Sequence, residues 1–255
     1  MKKWLLLITI LTTTFANIAQ AKEWKTIRFG IEGAYPPFSK TEADGSLSGF
    51  DIDIAKAICH QMQAKCTIVP QDWDSIIPSL LAHKYDAIMA AMDITKERLK
   101  RVDFTNKYAQ TPNRFLVKKG TKLDFKHLDG VKIGVQRATT HDQYLIDNYK
   151  NVDIVRYNSF DDACLDLDNG RVAAILGDGL VIEDKLKEAG ASKAYELAGP
   201  SLTDPKWFGE GLGIATRKQD KDLTAQFNAA IKAIRADGTY KKIQDKYFDF
   251  DIYGD

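Results

Sequence analysis

The 255-residue chain lacks most of what marks a metalloprotein, a redox enzyme or a nucleic-acid binder. It has three cysteines, at 59, 66 and 164, and four scattered histidines, at 60, 83, 127 and 141. None of their spacings matches a cysteine–histidine metal site, so neither metal nor cofactor is expected. No Ser-His-Asp or Cys-His set emerges, and no catalytic residue is assigned. Charge of neither sign dominates: 36 Lys and Arg stand against 35 Asp and Glu, a formal +1. That balance offers no basic surface for nucleic acid or membrane. Past the N-terminal segment, no run approaches the ~20 apolar residues that span a bilayer. Repeats and low-complexity stretches are absent.

What is present begins with an address. Met1-Lys-Lys is a positive start, Trp4 to Ile10 opens a short apolar stretch, and Ala19-Gln20-Ala21 is a small-x-small cleavage site. Residues 1–21 therefore read as a secretory signal peptide, with Lys22 the first mature residue and the periplasm the destination. Loss of Lys2 and Lys3 changes the formal charge from +1 to −1. The remaining length exceeds a common domain of ~100–150 residues, so two lobes are expected. Cys59 and Cys66 are too far apart for a bridge if one helix runs through both, since seven helical steps span ~10 Å. A disulfide needs the helix to end near Gln61 and the chain to double back. Export favours that bridge, with two buried thiols as the alternative. Cys164 falls on an amphipathic helix and reads as a small buried hydrophobe.

Short strands alternate with helices almost throughout. Ile27–Ile31, Thr67–Val69 and Tyr85–Met92 read as strands. Phe50, Ile54, Ile58 and Met62 mark a helix face, and Gly and Pro keep Glu32 to Phe38 in a loop. A helix over Ile76–Ala82 requires Pro78 in its first turn. Thr95 caps Lys96–Arg101. A second unit follows: strands at Val131–Gln136, Ile154–Tyr157 and Val172–Leu176, with helices His141–Tyr149 and Phe160–Asn169. Gly209–Ala215 reads as a strand with a loose start. The faces Leu223/Phe227/Ile231/Ile234 and Tyr240/Ile243/Tyr247 close the chain. The pattern predicts an α/β protein, each lobe a mostly parallel sheet flanked by helices. Crossings at Ala109–Pro112 and Gly199–Pro205 make the second lobe an insertion: 22–110 with 203–255, and 111–202. Ligands of such sheets sit at the carboxyl ends of strands, which selects Glu32, Tyr35, Trp73, Asp93, Gln136 to Thr140, and Asp178.

The richest stretch is Asp86 to Arg98. An apolar run ends in Asp93, Thr95 caps the next helix, and Arg98 lies three residues into it. A carboxylate and a guanidinium five residues apart, at a strand mouth, match the ammonium and carboxylate of an α-amino acid. The alternative is a solvated surface ion pair.

Ile31-Glu-Gly-Ala-Tyr-Pro-Pro-Phe38, Gly49-Phe-Asp-Ile-Asp53, Trp73-Asp-Ser-Ile-Ile-Pro78, Met92-Asp-Ile-Thr95 with Arg98, and Val102-Asp-Phe-Thr105 together resemble one family. Gly134-Val-Gln136, Thr139-Thr-His141, Asn169-Gly-Arg171, Gly177-Asp178, Phe208-Gly-Glu-Gly-Leu-Gly213 and Asp237-Gly-Thr-Tyr240 continue the likeness along the mature chain. It is the extracytoplasmic amino-acid-binding proteins of ABC importers, nearest the arginine binders of the lysine/arginine/ornithine and histidine group. The resemblance implies a two-lobe periplasmic-binding-protein fold (type II) with a two-strand hinge. It implies Arg98 on the ligand α-carboxylate, helped by backbone N–H groups at Thr140 and near Ala91. It places Asp93 and Asp178 on the ammonium, with Gln136 and Thr139 in the pocket. Side-chain chemistry adds Tyr35 and Trp73 as stacking partners for a guanidinium, and Glu32 as acceptor at its far end. Each also has a plain structural alternative: Tyr35 covering a Pro-Pro turn, Trp73 in the core, Glu32 a solvated charge. The role of Arg137 stays open.

The expected ligand is L-arginine, with lysine, ornithine and histidine as further cationic candidates. The expected partner is an inner-membrane ABC permease, and the protein itself is expected to be monomeric and not an enzyme. The rivals are a dehydratase-like periplasmic enzyme on the same scaffold and the sensory domain of a receptor.

Overall fold

A computed structural model of the protein describes residues 23–254. The expected signal segment and Lys22 lie outside them. The described chain opens with β1 (Thr26–Ile31), then a small antiparallel sheet of β2 (Ala34–Tyr35), β3 (Ser39–Thr41) and β4 (Leu47–Ser48). It continues through α1 (Phe50–Gln61), β5 (Lys65–Pro70), α2 (Trp73–Leu81), β6 (Ala87–Ile88), α3 (Lys96–Leu99) and β7 (Asp103–Phe104). Then follow β8 (Asn113–Lys118), β9 (Lys132–Gln136), α4 (Thr140–Asn148), β10 (Asp153–Tyr157), α5 (Phe160–Asp168), β11 (Ala174–Asp178), α6 (Gly179–Lys187), α7 (Ala191–Ala194) and β12 (Tyr195–Leu202). The chain returns through α8 (Pro205–Phe208), β13 (Ala215–Thr216), α9 (Lys221–Ala236) and α10 (Thr239–Gln244).

Two five-stranded sheets result, in the orders β5-β1-β6-β13-β7 and β10-β9-β11-β8-β12. In each, three parallel strands form one side and two antiparallel pairings complete the other. The antiparallel partners β8 and β13 are the strands that follow the two passages of chain between the sheets. The second sheet is built wholly from residues 113–202.

Period-two burial explains why helices cover both faces. Ile27, Phe29 and Ile31 pack on one face of β1 with Ile54 and Ile58 of α1 and Phe227 and Ile231 of α9. On the other face, the ring of Tyr85 lies so close over Gly30 that a Cβ there would meet it at 2.4 Å. Along 87–92 the same alternation holds: Ala87, Met89 and Ala91 face one core, and Ile88, Ala90 and Met92 the other. In the second sheet, Phe115, Val117, Ile133, Val135, Ala174 and Leu176 pack with Leu145 of α4, while Leu116 and Ile175 face α5 and α6.

Four local expectations change. The Tyr85–Met92 strand has ladder bonds only at Ala87–Ile88, because Ala91 takes φ 45° and ends the extended run. The Gly209–Ala215 strand shrinks to β13, with Leu212 in isolated bridges to Asp93 and Ala109. The helix expected over Lys96–Arg101 spans only α3. The helix holding Pro78 starts at Trp73, which puts the proline in its interior rather than its first turn. An interior proline costs about 3 kcal/mol. Burial of Trp73, Ile76 and Leu80 on the same short helix offsets it. The sequence reading passed over β8, α6 and β12, and also the small sheet inside the expected Glu32–Phe38 loop and beyond. Cys59 and Cys66 do form a disulfide, with Cα atoms 6.0 Å apart. Helix α1 ends between them and Gln63 turns the chain at φ 53°. Cys164 is a buried free thiol, its pKa pushed up to about 12 by burial.

Candidate functional site

The parallel strands of both sheets end at one cavity. It is lined by Glu32, Tyr35, Trp73, Ala90, Ala91, Asp93, Arg98, Gln136, Thr139, Thr140, His141 and Asp178. All ten residues chosen from the sequence are there. Ala90 and His141 are the additions. Ala90 sits inside the loop already singled out, but His141 carried no signal beyond adjacency to Thr139-Thr140. Its imidazole is buried and shares a 2.6 Å hydrogen bond, through Nε2, with Oδ1 of Asn113. Burial and the nearby Arg98 push its pKa down to about 3, so it is neutral.

Backbone geometry aims each group. Glu32 and Tyr35 follow β1, Trp73 opens α2 after β5, Gln136 ends β9, and Asp178 ends β11. Thr95 caps α3 by accepting from the Arg98 N–H at 3.2 Å, which fixes the first turn carrying the guanidinium. Arg98 Nη1 donates to the Asp93 carbonyl at 3.0 Å and lies 3.8 Å from Asp93 Oδ2. Its guanidinium carbon is 5.2 Å from the centre of the Trp73 ring. Both side chains of the Asp93–Arg98 pair are nearly buried, at 10% and 11% exposure, which removes the surface-ion-pair alternative. Thr139 is the N-cap of α4, its hydroxyl committed to the Asp142 N–H and the Gln136 carbonyl. Thr140, the first helical residue, has no intrahelical acceptor for its own N–H. The N–H of Ala91 is not available in the same way: it donates to Asp51 Oδ2 at 2.8 Å. Any backbone N–H that helps hold a carboxylate near Ala91 would therefore belong to a neighbouring residue.

Asp178 is the N-cap of α6, yet its side chain makes no capping bond. Oδ2 accepts from the Tyr35 hydroxyl at 2.5 Å, while the buried Oδ1 has no protein partner. Tyr35 is held by the edge of the Phe160 ring, 5.9 Å away at 88°. Phe160 in turn lies against Gly177, where a Cβ would meet its ring at 2.5 Å. That close approach requires glycine immediately before Asp178.

Four hydrogen bonds cross the cavity from one sheet's elements to the other's. Gln136 Nε2 donates to Glu32 Oε1, and Thr140 Oγ1 donates to Asp93 Oδ2 at 2.7 Å. Tyr35 reaches Asp178, and Trp73 Nε1 donates to the Ala138 carbonyl at 3.2 Å. Arg137, without an assigned role from sequence, lies 3.7 Å from Asp74 across the same gap. The cavity between them measures about 10 Å³, room for a single water and no more. The two walls are closed upon each other.

This closure explains the acidities. Burial raises Glu32 to about 7 against the opposing Gln136 bond, and Asp93 to about 6 against the Arg98 charge. Asp178 is raised further, first by burial and then by the Asp93 charge. Burial lowers Arg98. Three crowded carboxyls facing one guanidinium form a site short of positive charge.

Residues 27–250 match the model of the bacterial extracellular solute-binding proteins, family 3. The chain belongs to that family. It is 50% identical over 234 residues to the L-arginine-binding protein of Pseudomonas aeruginosa, covering 90% of each chain. It is 43% identical over 248 residues to the ABC transporter arginine-binding protein 1 of Escherichia coli, covering 97% of this chain and 99% of that one. Among solved structures, an arginine-specific periplasmic binding protein of Salmonella typhimurium superposes with a TM-score of 0.82 at 37% identity, covering 88% and 99%. The two-sheet architecture is thus that of periplasmic binding proteins. Among the described residues, no helix is long and apolar enough to cross a membrane, and no cluster of His, Cys, Asp and Glu could hold a metal.

Proposed function

We propose that the protein captures L-arginine outside the cytoplasm, closes on it, and presents the closed form to an ABC permease. The observation that carries this is the polarity of the cavity at the strand ends. Arg98 and the first turn of α4 lie at one end, beside Asp93 and Asp178. The acid of Glu32 and the aromatic rings of Tyr35 and Trp73 line the same cavity. An α-carboxylate meets Arg98, an α-ammonium meets Asp93 and the unpartnered Oδ1 of Asp178, and a guanidinium stacks on the rings and pairs with Glu32. Arginine, with an ammonium and a guanidinium against one carboxylate, brings a net positive charge to the three carboxyls. Lysine and ornithine carry the charge without the flat surface and are expected to bind less tightly; histidine is shorter.

The lobes would be residues 22–110 with 203–255, and 111–202, swinging about the two passages. Entry of a ligand requires the cross-sheet bonds to part, since the closed cavity cannot admit it. Residues 1–21 would direct export to the periplasm. Raised carboxyl pKa values also occur in catalytic sites, but here each is explained by enclosure without the cation that the site would bind.

Isothermal calorimetry tests the reading. Arginine should give a saturable binding heat, ahead of ornithine, lysine and histidine, with no chemical change in the recovered ligand. Heat with glutamine but none with arginine would refute the cationic cage. Conversion of a bound amino acid would refute the assignment as a binding protein.

A further inference from the structure

Among the described residues, Asp51 is the one carboxylate at 0% exposure, and the ligand clamp does not use it. It lies in the first turn of α1 and belongs to neither wall of the cavity. Two donors converge on it. The Ala91 N–H reaches Oδ2 at 2.8 Å, and the Tyr108 hydroxyl reaches Oδ1 at 2.9 Å. Each donor belongs to a segment that ligand capture depends on.

Ala91 lines the cavity and has φ 45°, a left-handed conformation that a residue with a Cβ seldom adopts. That turn ends the extended run of β6 and swings the next residues into place, so that Asp93 arrives opposite Thr140. Tyr108 begins the first passage between the sheets. Its N–H donates to the Leu212 carbonyl at 2.8 Å, and its carbonyl accepts from the Tyr240 hydroxyl at 2.6 Å. Leu212, just after α8 on the returned chain, bridges to both Asp93 and Ala109. Asp51 therefore ties the ligand loop to the residue that leads into the first passage, and Leu212 bridges the same two segments.

We propose that Asp51 is a positioning residue for ligand capture: it holds Ala91 in its left-handed turn and couples the Ala90–Asp93 loop to the inter-sheet passage at Tyr108. The inference rests on the arginine reading above. Its chemistry demands a carboxylate. The two donors reach separate oxygens, which a carboxylate supplies and an amide, with an NH₂ in place of one of them, does not. In Asp51→Asn one donor faces an NH₂ group, and the Ala91 turn loses its anchor.

The test measures arginine affinity and thermal unfolding of the full chain for the native protein, Asp51→Asn and Asp51→Asn/Ala91→Gly. The native protein is the control: if it does not bind arginine, the arginine reading fails and not this inference. Asp51→Asn is expected to weaken arginine on the order of tenfold, equivalent to about 1.4 kcal/mol. Glycine reaches the left-handed region without an anchor, so the double variant should recover to within about threefold of native. A merely structural aspartate would lose stability, and glycine at 91 would restore nothing. Affinity unchanged in Asp51→Asn, or lost and not recovered in the double variant, overturns the proposal. Tyr108→Phe keeps the Ala91 bond and removes one hydroxyl. It reads the coupling even if Asp51→Asn does not fold. Arginine should dissociate severalfold faster from it, and an unchanged dissociation rate overturns the coupling to the passage.

Discussion

Glu32→Gln should move binding and stability in opposite directions. Glu32 is held by the Gln136 amide in a buried setting that raises its pKa to about 7. At pH 8 the carboxylate is ionised and enclosed without a cation. A guanidinium placed there makes charge-assisted hydrogen bonds, worth ~1.5–3 kcal/mol each. A glutamine keeps the shape and one acceptor but loses the charge. The expected loss for arginine is therefore about 2–3 kcal/mol, or roughly 30- to 150-fold in Kd. A neutral amino acid never used that charge, so its affinity should change by no more than about threefold, within the ordinary effect of a neutral surface-like substitution. Stability runs the other way. The folded pKa of Glu32 is raised, so the protein favours its neutral form. The penalty is absent below the ordinary glutamate range near pH 4.5, grows between there and 7, and is complete above. The ligand-free variant should thus melt higher than the native protein at pH 8 and at the same temperature at pH 4.5. Calorimetric titration with arginine and glutamine, with scanning calorimetry at the two pH values, gives both readouts. Equal losses for arginine and glutamine, or a pH-independent melting difference, would refute Glu32 as the distal acceptor.

Other outcomes follow from the same geometry. Arg98→Ala strands the buried Asp93 and removes the group common to all amino-acid ligands. Binding of arginine and of every other amino acid should fall by ~3–5 kcal/mol, and near-native arginine affinity in this variant would contradict the clamp. Arginine should reduce the radius of gyration in solution X-ray scattering if the free protein populates an open form, because only the closed form makes contacts from both walls. An unchanged radius at demonstrated saturation would count against hinged capture, since the 10 Å³ cavity forces an opening step. Replacing Cys59 and Cys66 together by alanine removes a bridge between positions seven apart. It should lower stability by ~2.5 kcal/mol on the loop-entropy estimate, with arginine affinity preserved because the bridge lies away from the cavity.

The sequence by itself determined the alternation of strand and helix and the chemistry gathered at the strand ends. These are local or periodic properties. The buried faces of β1, α1 and α9 repeat at two and at three to four residues, and Thr95, Thr139 and Ser159 cap their helices as residues of that type do. Short-range pattern does not carry pairing between distant segments. It could not show that β8 and β12 join the second sheet beside β11, because Asn113–Lys118 mixes charged and apolar residues and depends on its partners for burial. It could not show that only two residues of 85–92 join a ladder, because a single left-handed turn at Ala91 is set by a contact forty positions away. His141 is the same case: nothing adjacent marks it, and its place in the wall follows from how α4 meets Asn113. Arg137 and Asp74, sixty-three positions apart, became partners only when the two sheets faced each other. Residue types fixed which charges were available; the fold decided which of them are buried together, and so which could share one ligand.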